Sequence, residues 1–199
     1  MEQIVVPFRG PSGKLRLDVP EEFRSELALA MLGDVLVACV AVGRTLLVTA
    51  DGAARALALD VGVEIADDPG GGQGPAVAAA LQQVQDNPVL VVNADLPCVV
   101  PRDLRTLAGV AELGALGLVE AVDGTTNALA LPRPALFAPL YGAGSAERFR
   151  AHAEANGVTA IASVIPNLAD DVDTLDDLTR VGLRAGPRTQ AAIGQLAAL

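Results

Sequence analysis

The chain carries one stretch that decides its fold: Val89-Leu90-Val91-Val92-Asn93-Ala94-Asp95-Leu96-Pro97. A continuous run of valine and leucine is typical of a strand buried on both faces, as in a parallel sheet. Asp95 follows this strand directly and is held by a proline turn. Because ligands of open α/β sheets bind beyond the carboxyl ends of the strands, Asp95 is predicted to lie at a binding site.

Similar short apolar runs alternate with segments of helical period along the chain, which predicts βαβ units. The predicted strands are Ile4–Phe8, Leu46–Thr49, Val63–Ala66, Val89–Asn93, Gly117–Val122, Asn127–Leu131 and Thr159–Val164. The predicted helices are Glu21–Cys39, Gly52–Leu59, Pro75–Val84, Pro101–Gly109, Ala146–Asn156, Leu175–Val181 and Gly186–Leu199. The Asp123-Gly124 turn predicts a hairpin. We therefore expect an α/β fold with a mixed, mostly parallel sheet flanked by helices, a Rossmann-like three-layer sandwich.

Length and composition narrow the class of protein. With 199 residues, of which 51% are hydrophobic, the chain is expected to form a single domain over residues 1–199. Its 24 acidic and 14 basic residues give a charge of −10, which would repel nucleic acid. The N-terminus lacks a signal-peptide pattern, and the apolar stretch Leu27–Val48 is interrupted by Asp34 and Arg44. We expect no nucleic-acid or membrane partner, and a cytoplasmic location.

A basic, glycine-containing loop follows the first predicted strand: Arg9-Gly10-Pro11-Ser12-Gly13-Lys14-Leu15-Arg16. Glycines let backbone N–H groups approach a triphosphate, and the cations would offset charge at the α-phosphorus. The predicted nucleotide contacts are Arg9, Gly10, Ser12 and Gly13, and the predicted catalytic cations are Lys14 and Arg16. The same composition also fits a solvated basic turn.

A glycine-rich loop, Asp67–Pro75, follows the third predicted strand and precedes a helix. A run of glycines lets a flat base lie on the backbone, and the Gln73 side chain or neighbouring amides could read the edge of that base. We predict that Gln73 and Gly74 bind nucleotide. A flexible loop without a ligand is the alternative.

An acidic segment, Asp170-Asp171-Val172-Asp173-Thr174, follows the last predicted strand. Clustered carboxylates repel one another, and a bound cation relieves that repulsion. In an extended segment Asp171 and Asp173 point the same way. With Asp95 they would form a three-carboxylate site for Mg²⁺, which prefers oxygen ligands. A helix N-terminus decorated with acids is the alternative.

Six motifs occur in an order that resembles a known family. They are Ser12–Leu17, Ala30–Asp34, Ala94–Pro97, Gly124–Leu129, Tyr141–Ser145 and Asp171–Thr174. Together they resemble the guanylyltransferases of coenzyme F-420 biosynthesis, the CofC/FbiD family, within the nucleotidyltransferase fold. The resemblance extends over nearly the whole chain.

The resemblance implies transfer of GMP from GTP to the phosphate of phosphoenolpyruvate, which releases pyrophosphate and gives enolpyruvyl-diphosphoguanosine. The related acceptors 2-phospho-L-lactate and 3-phosphoglycerate stay open. The resemblance also implies that Mg²⁺ is held by Asp95, Asp171 and Asp173, and that the phosphoacid is bound by Thr126, Gly142 and Ser145. Arg148, one turn after Ser145, could add a cation. The product is expected to pass to a downstream transferase.

Two other functional classes stay open from the sequence. One is a glycosyltransferase that uses Asp171-Val172-Asp173 as its D-x-D motif, and the other is a non-catalytic nucleotide sensor. The chain also has Gly74-Pro75-Ala76 where the family usually has Gly-Leu-Asn, which leaves strict guanine selection open. A homodimer could form through the alanine- and valine-rich helix Leu27–Val42.

Overall fold

A computed structural model describes residues 2–10 and 19–196, which form one seven-stranded sheet in the order β3-β2-β1-β4-β6-β5-β7. The strands are β1 (Glu2–Pro7), β2 (Gly43–Val48), β3 (Glu64–Ala66), β4 (Val89–Val92), β5 (Leu116–Glu120), β6 (Thr126–Leu131) and β7 (Ala160–Ala162). Strand β6 is antiparallel to its neighbours β4 and β5, and the other neighbouring pairs are parallel. The predicted mixed, mostly parallel sheet is confirmed.

Helices cover both faces of this sheet. They are α1 (Glu21–Val40), α2 (Gly52–Asp60), α3 (Gln73–Leu81), α4 (Pro101–Glu112), α5 (Ser145–Ala155), α6 (Pro166–Ala169), α7 (Leu175–Val181) and α8 (Pro187–Leu196). Short 3-10 turns lie at Pro134–Leu136 and Gly182–Arg184. No helix in residues 2–10 and 19–196 is long and apolar enough to cross a bilayer.

Alternation along the strands divides the core into two apolar layers, because successive side chains point to opposite faces. Ile4 and Val6 of β1 pack with residues of α1, α2, α4 and α6 on one face. Val5 packs with residues of α3 and α5 on the other. The three-layer sandwich expected from the sequence follows from this alternation.

A third apolar cluster attaches the C-terminal segment to α1. Side chains of α7 and α8 pack with Phe23, Leu27 and Met31 of α1, and Val172 lies among them with none of its surface exposed. The anchored segment thereby brings the acidic residues on either side of Val172 to the carboxyl edge of the sheet.

Several boundaries differ from the sequence predictions for local reasons. Helix α3 begins at Gln73, two residues before Pro75. The first turn of a helix accepts proline, because backbone N–H groups in that turn have no partner within the helix and proline lacks only this group. Helix α4 runs past Gly109 to Glu112. Helix α6 is too short to show a helical period and was not predicted. The hairpin at Asp123-Gly124 is confirmed, and Thr174 and Asp177 form a capping box at the start of α7.

Candidate active site

Three aspartates converge at the carboxyl edge of the sheet. Asp95, Asp171 and Asp173 each offer a carboxylate oxygen, and these oxygens all lie within 4.8 Å of one another. All three side chains are partly buried. Like charges held this close repel one another, and the repulsion is relieved by a cation.

Two backbone features produce the convergence. Asp95 follows β4, and its carbonyl oxygen accepts a hydrogen bond of 3.2 Å from the N–H of Val172, the residue between the two other aspartates. Because the Val172 side chain points into the core, Asp171 and Asp173 both point away from it. The alternation expected from the D-x-D sequence is therefore the arrangement that brings all three carboxylates together.

Asp170 belongs to a different group of charges. Its carboxylate forms ion pairs with Arg180 and, at 2.6 Å, with Arg184. Arg180 also pairs at 2.8 Å with Asp177, the carboxylate of the α7 capping box. Partial burial would raise the pKa of Asp177, but hydrogen bonds from Arg180, Thr174 and two backbone N–H groups outweigh burial and lower it to about 2. Arginines thus pair with Asp170 and Asp177, while Asp171 and Asp173 face Asp95.

A cleft of about 390 Å³ opens beside the aspartates. It lies between the β5–β6 turn and the segment that leads into α7. Its lining residues are Val122, Asp123, Asp171, Asp173, Thr174, Asp177 and Arg180. The cleft is large enough for a small phosphorylated acid, and two of the three converging carboxylates, those of Asp171 and Asp173, line its wall.

A chain of amides crosses the same edge of the sheet. Gln73 Nε2 donates to Asn93 Oδ1 at 2.6 Å, and Asn93 Nδ2 donates to the Thr126 carbonyl at 3.2 Å. Asn127 Nδ2 donates to Asp171 Oδ1 at 3.3 Å. These bonds connect the glycine-rich loop with the start of β6 and with the aspartates. Neither Asn93 nor Asn127 stands out in the sequence, because their partners are distant along the chain.

The predicted phosphoacid residues lie together at the start of α5. Ser145 Oγ donates to Thr126 Oγ1 at 3.0 Å, and both side chains are buried. Gly142 has a φ of +111°, which favours glycine, and its carbonyl accepts a 2.9 Å bond from the Ser145 N–H. The hydroxyls therefore fix the loop to β6, and the exposed backbone of residues 142–144 is what the loop presents to solvent.

Arg148 holds this loop rather than pointing freely into solvent. Its guanidinium donates to the carbonyls of Leu140 at 2.8 and 3.2 Å, Tyr141 at 3.2 Å and Ala143 at 2.5 Å. The predicted cation thus lies against the loop whose backbone would contact the phosphoacid.

Those predicted nucleotide residues that the structure describes follow β1 and β3, the two strands on either side of β2. Arg9 is exposed after β1, and Gly10, with a φ of +81°, lies beside the Asp51 carboxylate at the end of β2. Gly74 is buried, and a Cβ there would lie 2.6 Å from Cβ of Pro139, so close helix packing explains this glycine. Ser12, Gly13, Lys14 and Arg16 lie outside the described residues.

Comparison with known proteins identifies the family. Residues 2–191 match the family described as guanylyl transferase CofC like. Phosphoenolpyruvate guanylyltransferase of Geodermatophilus obscurus is 34% identical over 96% of this chain and 93% of its own length. The enzyme of the same name from Streptomyces scabiei is 35% identical, over 96% of this chain and 94% of its own.

The fold has a solved counterpart as well. The crystal structure of a putative nucleotide-diphospho-sugar transferase from Desulfovibrio desulfuricans superposes with a TM-score of 0.78, covering 99% of this chain and 95% of that one at 16% identity. At this identity the similarity concerns the fold alone. The sequence match decides the family: the chain belongs to the CofC-like guanylyl transferases and is a nucleotidyltransferase.

Proposed function

We propose that the chain transfers GMP from GTP to the phosphate of phosphoenolpyruvate, releasing pyrophosphate and giving enolpyruvyl-diphosphoguanosine for F-420 biosynthesis. The observation that carries the proposal is the convergence of Asp95, Asp171 and Asp173 beside the Thr126–Ser145 pair and the cleft. The relatives named phosphoenolpyruvate guanylyltransferase, matched over almost their whole length, support the choice of nucleotide and acceptor.

The chemistry of the three aspartates fits Mg²⁺. Three carboxylate oxygens within 4.8 Å of one another form a hard, anionic donor set, which Mg²⁺ prefers. When bound, Mg²⁺ would neutralise charge on the phosphate oxygens of the reacting groups. Asp95, fixed to the turn after β4, would set the position of this charge relative to the sheet, and Asp171 and Asp173 would close the site from the α7 side.

The phosphoacid is proposed to bind between the cleft and the start of α5. Gly142 would present its backbone N–H near the N-terminus of α5, where an anion is favoured, and Ser145 would hold this loop in place, since its own N–H donates to the Gly142 carbonyl. Thr126 would keep this loop on β6 through its hydroxyl bond to Ser145. Arg148 would hold the loop carbonyls away from the anion and add a positive charge.

The nucleotide is proposed to lie across the ends of β1 and β3. Its contacts would come from Arg9, Gly10, Ser12, Gly13, Gln73 and Gly74. The acceptor phosphate oxygen would attack the α-phosphorus of GTP while the bond from that phosphorus to the β-phosphate oxygen breaks, so that pyrophosphate leaves in line. Lys14 and Arg16 would neutralise the charge that develops, and no covalent enzyme intermediate is required.

Residues 1–199 are predicted to form a single domain, and the protein is predicted to act in the cytoplasm. A homodimer through α1 and delivery of the product to a downstream transferase are also predictions. Much of α1 is already covered by the chain itself, and Val37 and Val40 are its large apolar side chains that stay exposed among the described residues.

Pyrophosphate release tests the proposed function. The protein is incubated with Mg²⁺ and GTP in separate reactions with phosphoenolpyruvate, 2-phospho-L-lactate or 3-phosphoglycerate, and each pairing is repeated with ATP, CTP and UTP. The proposal expects release with GTP and phosphoenolpyruvate, and a product with the mass of enolpyruvyl-diphosphoguanosine. Silence in every pairing from folded protein would contradict it, and turnover of a nucleotide sugar would favour the glycosyltransferase instead.

A further inference from the structure

Asn127 is the second residue of β6 and is almost fully buried, with 2% of its surface exposed. Its side-chain Nδ2 donates two hydrogen bonds, one of 3.2 Å to the carbonyl of Ala169 and one of 3.3 Å to Oδ1 of Asp171. A buried amide whose two N–H groups both donate to one short segment fixes the position of that segment.

The orientation of this amide follows from its partners. A backbone carbonyl can only accept hydrogen bonds, so the side of the Asn127 amide that faces Ala169 must be the NH₂ group. Asp171, which shares that NH₂ group, therefore receives a donor. An N–H that donates to one carboxylate oxygen restricts the rotation of that carboxylate.

The backbone of Asn127 is tied to the strand that carries Asp95. The antiparallel pairing of β4 with β6 reaches Val92 and Ala128, and the bond from Asn93 N–H to the Asn127 carbonyl, 3.0 Å, continues it by one step. Asn93 lies two residues before Asp95. Asn127 thus connects the turn after β4, through its backbone, to Asp171, through its side chain.

We propose that Asn127 is a positioning residue of the metal site, which holds the Asp171 carboxylate against Asp95 so that a divalent cation meets a preformed set of oxygens. The inference rests on the proposed function, since it assumes that the three aspartates bind Mg²⁺. Loss of the amide would remove a contact that directs the Asp171 carboxylate toward the other two. Outer groups that orient ligands commonly contribute about 10- to 100-fold to metal affinity.

The test compares Asn127→Leu, which keeps the approximate volume and removes both donors, with Gln3→Leu as a matched control. Gln3 is also a buried amide, with 5% exposure, and it bridges the backbone of Gln85 at the opposite edge of the sheet. Mn²⁺ binding is measured by electron paramagnetic resonance, with Mg²⁺ as competitor. The Mg²⁺ dependence of turnover and the urea midpoint are measured on the same preparations.

Asn127→Leu is expected to weaken Mn²⁺ binding by about 10- to 100-fold and to recover turnover in part as Mg²⁺ is raised. Gln3→Leu is expected to lower the urea midpoint while its Mn²⁺ affinity stays that of the wild type. Equal Mn²⁺ affinity in wild type and Asn127→Leu, or an equal loss in Gln3→Leu, would overturn the inference.

Two further results separate the inference from the proposed function. A wild type that turns over GTP and phosphoenolpyruvate while Asn127→Leu keeps normal Mn²⁺ affinity overturns the positioning role alone. A wild type that neither binds Mn²⁺ nor releases pyrophosphate overturns both. If Asn127→Leu does not fold, Asn127→Ser keeps one shorter donor and is expected to weaken Mn²⁺ binding to a smaller extent; unchanged binding in that variant would again overturn the inference.

Discussion

Asp34 is buried and Asp95 is partly buried, and different groups lie against their carboxylates. Asp34, in the middle of α1, accepts the backbone N–H groups of Arg188 at 3.1 Å and Thr189 at 2.9 Å, in the first turn of α8. Gly186, just before that helix, lies so close to Asp34 that an added Cβ would overlap the carboxylate. Asp95 instead shares its surroundings with the carboxylates of Asp171 and Asp173.

The difference separates an acid that stabilises the fold from one that is proposed to serve the reaction. Two backbone donors at a helix N-terminus offset the burial of the Asp34 charge and dock α8 on α1. The three converging carboxylates oppose one another in the absence of a cation. Single substitutions at these residues test whether the two roles differ.

The largest expected effect is on turnover in Asp95→Asn. The variant keeps its shape but loses a charged metal ligand, and several kcal/mol of electrostatic stabilisation correspond to a loss of about a thousandfold. Turnover and urea unfolding are measured on one preparation, so that a loss of turnover is separated from a loss of folded protein. Turnover of Asp95→Asn within tenfold of the wild type would contradict the proposed role of Asp95 in the reaction.

The opposite result is expected for Asp34→Ala. Two backbone N–H groups lose a charged acceptor in a buried site, which should lower the free energy of unfolding by about 2 to 4 kcal/mol. Turnover of the folded fraction at low temperature should stay near that of the wild type. Asp34→Asn, which keeps an oxygen acceptor, should lose less. Stability that is unaffected in Asp34→Ala would show that α8 docks without this carboxylate.

A pair of arginines on α5 offers a smaller version of the same contrast. Arg148 donates to loop carbonyls beside the proposed phosphoacid site, whereas Arg150 forms ion pairs with Glu120 and Glu147. Arg148→Ala should raise KM for the phosphoacid about tenfold, the effect of about 1.4 kcal/mol. Arg150→Ala should leave KM unchanged. KM is measured by steady-state kinetics in which the concentration of the phosphoacid is varied. Equal changes of KM in the two variants would contradict the proposed role of Arg148.

The smallest expected effect concerns the choice of base. The Asn93 amide presents its NH₂ group to the Thr126 carbonyl, so Gln73 must present Nε2 to Asn93 Oδ1. Gln73 Oε1 then remains as an acceptor. Guanine carries N–H donors on its pairing edge. Gln73→Leu should therefore lower kcat/KM for GTP about fivefold, the value of one hydrogen bond of about 1 kcal/mol. Unchanged kcat/KM for GTP would place base recognition elsewhere.

The sequence predicts most of the sheet and the identity of the carboxylates, because both depend on local patterns. The apolar run before Asp95 and the D-x-D alternation around Val172 are readable from neighbours along the chain. Contacts between distant residues are not: Asn127 meets Asp171 across 44 positions. The ion pairs of Asp170 with Arg180 and Arg184 likewise depend on where α7 packs. Gly74 shows the same limit, since its fit against Pro139 exists only in the folded protein.

The central claim, that three converging aspartates bind the metal used in GMP transfer, is tested most directly by Asp173→Asn. Mn²⁺ affinity and pyrophosphate release from GTP and phosphoenolpyruvate are measured side by side in this variant and in the wild type. The account predicts that both fall together, Mn²⁺ affinity by about tenfold or more. A variant that binds Mn²⁺ and releases pyrophosphate as the wild type does would contradict it.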